Sequence, residues 1–287
     1  MPMLQTASVQ IYYEVHGTGP NLLFVSGLGG GTWSWYGQVP FFRDRYRTIV
    51  FDNRGAGRSS MPPGPYSMED LAADTLALLD HLGVDRCFMV GLSMGGMIAQ
   101  ETALAAPHRF AAMVLGCTHC GGARKIPPSQ DVIARFVDNA GLSLEEIVTK
   151  NLPFFFSRDA FVHKREAVEE YKRVQIGVPL QPEHAFSAQL AAIQSFDAAD
   201  RLQTLTVPTL VITGTEDVLV PPANAHILAE LLPDAALVEL EGAGHAIHAE
   251  CRETLNELIH EFFSESDLSR ASKKAPRVRR ISCSRPQ

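Results

Sequence analysis

Gly91-Leu92-Ser93-Met94-Gly95 is the stretch on which the fold turns. Before it, Cys87, Phe88, Met89 and Val90 make a short apolar run of strand type, and after it Gly96 to Ala106 is a run of small residues of helix type. A serine between two glycines at a strand-to-helix turn has a direct physical reading. The turn is too tight for side chains at the flanking positions, and the serine oxygen is thrust clear of the sheet. This predicts a nucleophile elbow. A Gly-rich turn with a surface serine is the bland alternative, and the framing strand and helix weigh against it.

Outward from the elbow, strand and helix patterns alternate. Leu22 to Val25 and Thr48 to Phe51 are continuous apolar runs, the pattern of strands buried on both faces of a parallel sheet. Thr6 to His16 alternates polar and apolar residues and is followed by Gly17-Thr18-Gly19-Pro20, which predicts an opening hairpin with its turn there. Ser67 with Asp70 forms a capping-box pattern for a helix through His81, stopped by Gly83. Phe110 to Gly116 is another apolar strand. From Cys117 to Leu205 only helical patterning is found, near residues 129–139, 143–151, 158–175 and 182–194. The β/α order then resumes with a strand at Thr209–Thr213, a helix at Ala223–Leu232, a strand at Ala236–Leu240 and a helix at Glu253–Ser264. The fold class is therefore α/β with a mostly parallel sheet and right-handed crossovers. Residues 1–116 and 206–264 are expected to form the core domain, with 117–205 as an inserted helical cap.

Composition narrows the functional classes. Of 287 residues, 46% are hydrophobic and 20% charged, as in ordinary globular proteins. No apolar run approaches the roughly 18 to 20 residues of a membrane span, and Met1 to Ser8 lacks a signal-peptide pattern, so a cytoplasmic protein is expected. The five cysteines are scattered and odd in number, and are expected to be reduced. Cys117-Thr118-His119-Cys120 spells CxxC, but no second pair follows at zinc spacing, so packing or a pocket edge is favoured over metal or redox use. The net charge of −7 hides an asymmetry: Ser269 to Gln287 holds seven Lys or Arg and no acid, leaving 18 basic against 32 acidic groups, or −14, in residues 1–268. Such a body argues against nucleic-acid binding. The basic tail, 265–287, is expected to be disordered and solvated.

A serine hydroxyl is a poor nucleophile at neutral pH. It needs a histidine to take its proton, and that histidine needs a carboxylate to fix its tautomer. Asp217, in Gly214-Thr215-Glu216-Asp217, lies just beyond the Leu210 strand, and His245, in Gly242-Ala243-Gly244-His245, lies beyond the Leu237 strand. Ligands bind at the carboxyl ends of parallel strands, where Ser93, Asp217 and His245 would all stand. Glu216 and His248 are the rivals for acid and base: the first would point differently, the second lacks the glycine setting. The loop Ser26-Gly27-Leu28-Gly29-Gly30-Gly31 follows a buried strand and lacks the Lys and Ser/Thr of a phosphate cradle. It is expected to supply one backbone donor to an oxyanion hole, at Leu28, with Met94 supplying the other.

On Gly91 to Gly96 (GLSMGG), Asp52 to Ser59 (DNRGAGRS), the Asp217 segment and Gly242 to His245 (GAGH), the chain resembles α/β-hydrolase-fold enzymes of the esterase and enol-lactonase type, and is similar to the 3-oxoadipate enol-lactonases over about Thr6 to Ser264. The resemblance implies an α/β-hydrolase fold, a mostly parallel twisted sheet flanked by helices with an inserted helical cap. It also implies a structural role for residues 52–59, orienting the loop near the site. One departure stands out: many relatives carry His before the glycine of the oxyanion loop, where this chain has Ser26.

The expected activity is hydrolysis of a small carboxylic ester or lactone through an acyl-enzyme, with catalytic Ser93, Asp217 and His245 and neither cofactor nor metal. Trp33, Trp35, His119, Phe154 and Phe155 are expected to line the substrate pocket, with Phe156 and Phe186 as further aromatic contributors. Carbon–carbon bond hydrolysis and cofactor-free haloperoxidase or perhydrolase chemistry would use the same three residues. A dehalogenase or epoxide hydrolase would want a carboxylate in place of Ser93. A ligand receptor with a slow hydrolase pocket is the reading from a different class.

Overall fold

The structure is a computed structural model that describes residues 2–6, 8–266 and 278–283. In chain order the elements are β1 (Met3–Gln5), β2 (Gln10–His16), β3 (Asn21–Val25), α1 (Val39–Phe42), β4 (Arg47–Phe51), α2 (Met68–His81), β5 (Cys87–Leu92), α3 (Met94–Ala105) and β6 (Phe110–Gly116). Helices α4 (Gln130–Val137), α5 (Leu144–Phe155), α6 (Ala160–His163), α7 (Arg165–Ile176) and α8 (Glu183–Ser195) follow. The chain continues through β7 (Thr209–Gly214), α9 (Ala223–Leu231), β8 (Ala235–Glu241), α10 (Ile247–Glu250), α11 (Arg252–Glu265) and β9 (Val278–Ser282). The strands form one sheet in the order β1-β2-β4-β3-β5-β6-β7-β8-β9, antiparallel at β1 and β2 and parallel from β4 onward. This is the α/β architecture that strand and helix alternation predicts.

The two-residue period of each strand sorts its side chains into two cores. Leu23, Val25, Met89 and Val211 face a layer built from α2, α3 and α9. Leu22, Phe24, Val90 and Ile212 face the layer of α1 and α11, through Phe42, Leu255 and Phe263. A third, smaller cluster joins Leu152 of α5 and Val168 and Tyr171 of α7 to Ala246, just before α10, and Ala249 within it. That cluster fastens the helices between β6 and β7 onto the loop after β8. No helix among the described residues is long and apolar enough to cross a membrane.

Three expectations are corrected. The opening hairpin joins β1 to β2, with Thr6 N–H reaching the Val9 carbonyl between them. The Gly17–Pro20 turn instead leads to β3, which is separated from β2 by β4. Second, the basic tail is not disordered throughout: Val278–Ser282 extends the sheet beside β8, and Arg280 Nε bonds Glu239 Oε2 at 2.8 Å. Of the rest of the tail, Glu265 ends α11, Ser266 caps it and Cys283 follows β9; the other residues lie outside the described residues. Third, not all cysteines are reduced. β9 carries Cys283 to the start of α11, where it forms a disulfide with Cys251 at a Cα separation of 5.4 Å, while Cys87, Cys117 and Cys120 are free and buried.

Candidate active site

Ser93 sits between the end of β5 and the start of α3 with φ +57° and ψ −123°, a conformation that costs a non-glycine residue about 1–3 kcal/mol. The surroundings impose it. A methyl group on Gly95 would strike the Val25 carbonyl and one on Gly91 would strike the Gly95 carbonyl, so helix and strand approach closely only because both positions lack Cβ. Ser93 N–H donates to the Gly116 carbonyl at 2.8 Å, and Thr118 Oγ1 donates to the Ser93 carbonyl at 2.8 Å. The strain is thus held by β6 on one side and by α3 on the other.

Asp217 and His245 lie on the loops after β7 and β8. One carboxylate oxygen of Asp217, Oδ1, accepts the N–H groups of Leu219 and Val220 at 2.9 and 2.8 Å. The other, Oδ2, is 2.7 Å from His245 Nδ1. A carboxylate cannot donate, so Nδ1 carries the proton of this bond and Nε2 is left as the free acceptor of the neutral ring. Both side chains are buried, and the His245 ring packs 5.9 Å from that of Phe155. Glu250, also buried, clasps the same loop: Oε2 accepts Gly244 N–H at 3.0 Å and Ser157 N–H at 3.2 Å, and Oε1 accepts Ser157 Oγ–H at 2.6 Å.

Neither rival takes the role of acid or base beside Asp217. Glu216 is exposed, and His248, which also borders the cavity that Ser93 and His245 share, sits in α10 with its pKa pushed down to about 3 by burial and by the neighbouring His245. Cys117 takes the left-handed φ of +47°, and its sulfur, one Asp217 oxygen and one His245 nitrogen all lie within 4.8 Å of one another. Burial pushes its thiol pKa well up.

The loop after β3 lies against the elbow: a Cβ on Gly27 would stand 3.2 Å from Ser93 Cβ. Ser26 organises this loop from below. Its Oγ donates to the Gly31 carbonyl at 2.9 Å and accepts Trp35 Nε1–H at 2.8 Å. Of the loop's own donors, Gly29 N–H is held by Gln189 Oε1 at 2.9 Å and Gly30 N–H by the Gly27 carbonyl at 3.0 Å. Residues 52–59 brace it: Asp52 accepts Thr32 N–H at 2.7 Å and Arg58 N–H at 2.9 Å, and Asn53 Nδ2 donates to the Ser26 carbonyl at 2.9 Å. Met94 opens α3, where a first-turn N–H has no acceptor within the helix.

Ser93 and His245 both border a cavity of about 370 Å³, which Leu28, Trp35, His119 and Phe155 also line. Trp33 and Phe154 do not. Trp33 turns toward Gly31 and Gly57 beside Asp52, and Phe154, one residue from Phe155, points the other way, with Arg135 stacked over its ring and Phe136 at its edge. Phe156 and Phe186 are likewise off the cavity, Phe156 packing on Tyr171. Walls that aromatic content alone did not reveal come from the helices after β6: Ile133 and Phe136 of α4, Val148 of α5, Tyr171 of α7, and Leu190 and Ile193 of α8. Helical spacing marks these as apolar faces; nothing in spacing says that they face a void. Asn151, one turn before Phe155, also borders the cavity, and its buried Oδ1 has no partner among the described residues.

The chain is similar to proteins from several bacteria. RutD of Azorhizobium caulinodans, a carbamate hydrolase candidate by name, is 30% identical over 269 residues, covering 93% of this chain and all of the relative. The 3-oxoadipate enol-lactonase 2 of Acinetobacter baylyi is 30% identical over 260 residues, 89% of this chain and 94% of the relative. The crystal structure of the enol-lactonase from Burkholderia xenovorans superposes with a TM-score of 0.81 at 26% identity, covering 92% of this chain and 100% of that one. The family model for the alpha/beta hydrolase fold matches residues 20–250. With that match spanning most of the chain and the sheet order and elbow already described, this protein belongs to the α/β-hydrolase fold family.

Proposed function

We propose that the protein is a serine hydrolase that cleaves a small carboxylic ester or lactone through an acyl-enzyme. The observation that carries this reading is the 2.7 Å bond from His245 Nδ1 to Asp217 in the cavity that Ser93 also borders. His245 Nε2 accepts the Ser93 Oγ proton as the oxygen attacks the substrate carbonyl, and returns it to the leaving oxygen. Asp217 holds the productive tautomer and balances the imidazolium that forms. Water, deprotonated by the same histidine, then releases the acid and restores Ser93. The negative charge on the tetrahedral oxygen is met by the N–H groups of Met94 and Leu28. The choice of Leu28 is supported by its place next to Gly27, which lies against Ser93, and by the prior engagement of Gly29 and Gly30. Each such donor contributes about 10²- to 10³-fold in rate.

The apolar lining favours uncharged acyl chains or rings as the group retained on the enzyme. A series of p-nitrophenyl esters of increasing chain length tests the reading. Wild-type kcat/KM is expected to rise from the acetate to a medium-length chain, and folded Ser93→Ala to lose at least about 10⁴-fold in kcat. Full turnover by folded Ser93→Ala would sink it.

A further inference from the structure

His119 comes three residues after β6 and borders the cavity, yet acyl transfer through Ser93 gives it no task. The ring is held on two sides and its backbone on a third. Its Nδ1 accepts Gly121 N–H at 3.1 Å, its face lies 6.2 Å from the Phe196 ring at 30°, and its carbonyl accepts Gln100 Nε2–H at 3.1 Å. A neutral imidazole that accepts at Nδ1 carries its proton on Nε2. Burial, helped by the charge of Lys125, lowers its pKa to about 4, so the ring is neutral at physiological pH. The edge left to the cavity is therefore a fixed, uncharged N–H donor. Its neighbour Thr118 bonds the Ser93 carbonyl, which sets this donor's backbone beside the elbow. The walls that share the cavity are largely apolar side chains such as Ile133, Phe136 and Ile193.

We propose that His119 is a specificity residue whose Nε2–H binds a second, neutral carbonyl oxygen of the substrate, so that the preferred substrate is an ester or lactone with a keto or amide carbonyl on its apolar acyl part. The proposal rests on the acyl-enzyme reading above. A donor without charge suits a neutral acceptor better than a carboxylate: the one ammonium on the cavity wall among the described residues, Lys125, is turned to the Gln194 carbonyl at 3.4 Å, and the neutral imidazole itself offers a carboxylate no charge. In a water-poor site, a substrate lacking that oxygen leaves the donor unpaired, which is how a polar group in an apolar pocket discriminates.

The test compares p-nitrophenyl hexanoate with its 3-, 4- and 5-oxo derivatives, each enzymatic rate divided by the rate of hydroxide hydrolysis of the same ester. Wild type is expected to prefer at least one oxo ester by about tenfold in kcat/KM. His119→Leu brings that ratio to within about twofold of unity, and His119→Gln, which keeps an N–H, holds it above the Leu value. A wild-type ratio below about twofold at all three positions, or a preference that survives in His119→Leu, overturns the proposal. Should the variants not fold, ¹⁵N NMR of the wild-type histidines decides the donor itself: a proton on Nε2 at neutral pH is expected, and one on Nδ1, or on both nitrogens, overturns it. Wild type inert toward all four esters, or turnover undiminished in Ser93→Ala, overturns the acyl-enzyme reading and this proposal with it. That outcome is distinct from turnover without oxo preference, which overturns the proposal alone.

Discussion

At the scale of single residues, the proposed mechanism asks Asp217 to keep His245 in one tautomer and to balance the imidazolium that forms. Asp217→Asn offers an amide in its place and is expected to lower kcat by about 10⁴-fold with little loss of stability, whereas Glu216→Gln, at an exposed position, should leave kcat within about twofold. Steady-state rates and thermal melts of the two variants check this, and equal losses would remove Asp217 from its role. The buried histidines make a separate prediction about pH. His119 and His248 have folded-state pKa values near 4 and 3, below the unfolded value of about 6.5. As pH falls below about 6.5 the unfolded chain takes up these protons first, so stability is highest above that pH and is lost toward pH 4. His119 alone accounts for roughly 3 kcal/mol at about 1.4 kcal/mol per unit. Denaturant titrations from pH 7 to 4 should show a shallower decline for His119→Gln than for wild type, and parallel declines would contradict it.

At the scale of elements, the histidine loop is only as well placed as Glu250 holds it. This one carboxylate ties Gly244 to the Ser157 turn after α5, and so couples the loop after β8 to the helices that wall the cavity. Glu250→Ala leaves three buried donors unpaired, and is expected to cost about 2–4 kcal/mol and to lower kcat more than it changes KM. Calorimetry together with ester kinetics reads both effects; a variant with wild-type stability would show that the clasp carries nothing. Such links explain which parts of the site could be read in advance. Ser93, Asp217 and His245 each sit in a short glycine-marked segment at a strand end, so local sequence places them. Trp33 and Phe154 stand off the cavity while Trp35 and Phe155 line it, because an aromatic residue announces burial but not direction. The walls from α4, α7 and α8 were missed because an apolar helix face looks the same whether it meets a core or a cavity.

At the scale of the whole molecule, alternating patterns foretold the parallel sheet, since strands buried on both faces are continuous apolar runs. The far edge was hidden. Val278–Ser282 is rich in arginine and reads as a solvated tail, and only its place beside β8, with Arg280 on Glu239, makes it a strand. The disulfide was hidden for the same reason, because pairing across 32 residues depends on where that strand docks. Thiol titration of the denatured, unreduced protein should therefore find three free cysteines, rising to five after reduction. Loss of the link in Cys283→Ser should cost about 3–4 kcal/mol by loop entropy. Five thiols before reduction would contradict the bond and would fit a reducing compartment.

The central claim is that Ser93 becomes covalently acylated. Intact-protein mass spectrometry within the first turnover of a p-nitrophenyl ester, followed by peptide mapping, tests it most directly. The account predicts one acyl group per chain, on the peptide containing Ser93, formed with a burst of nitrophenolate and absent from Ser93→Ala. Turnover with no acylated species on rapid quenching, or an acyl group carried on another residue such as Cys117 while Ser93→Ala stays active, would contradict it.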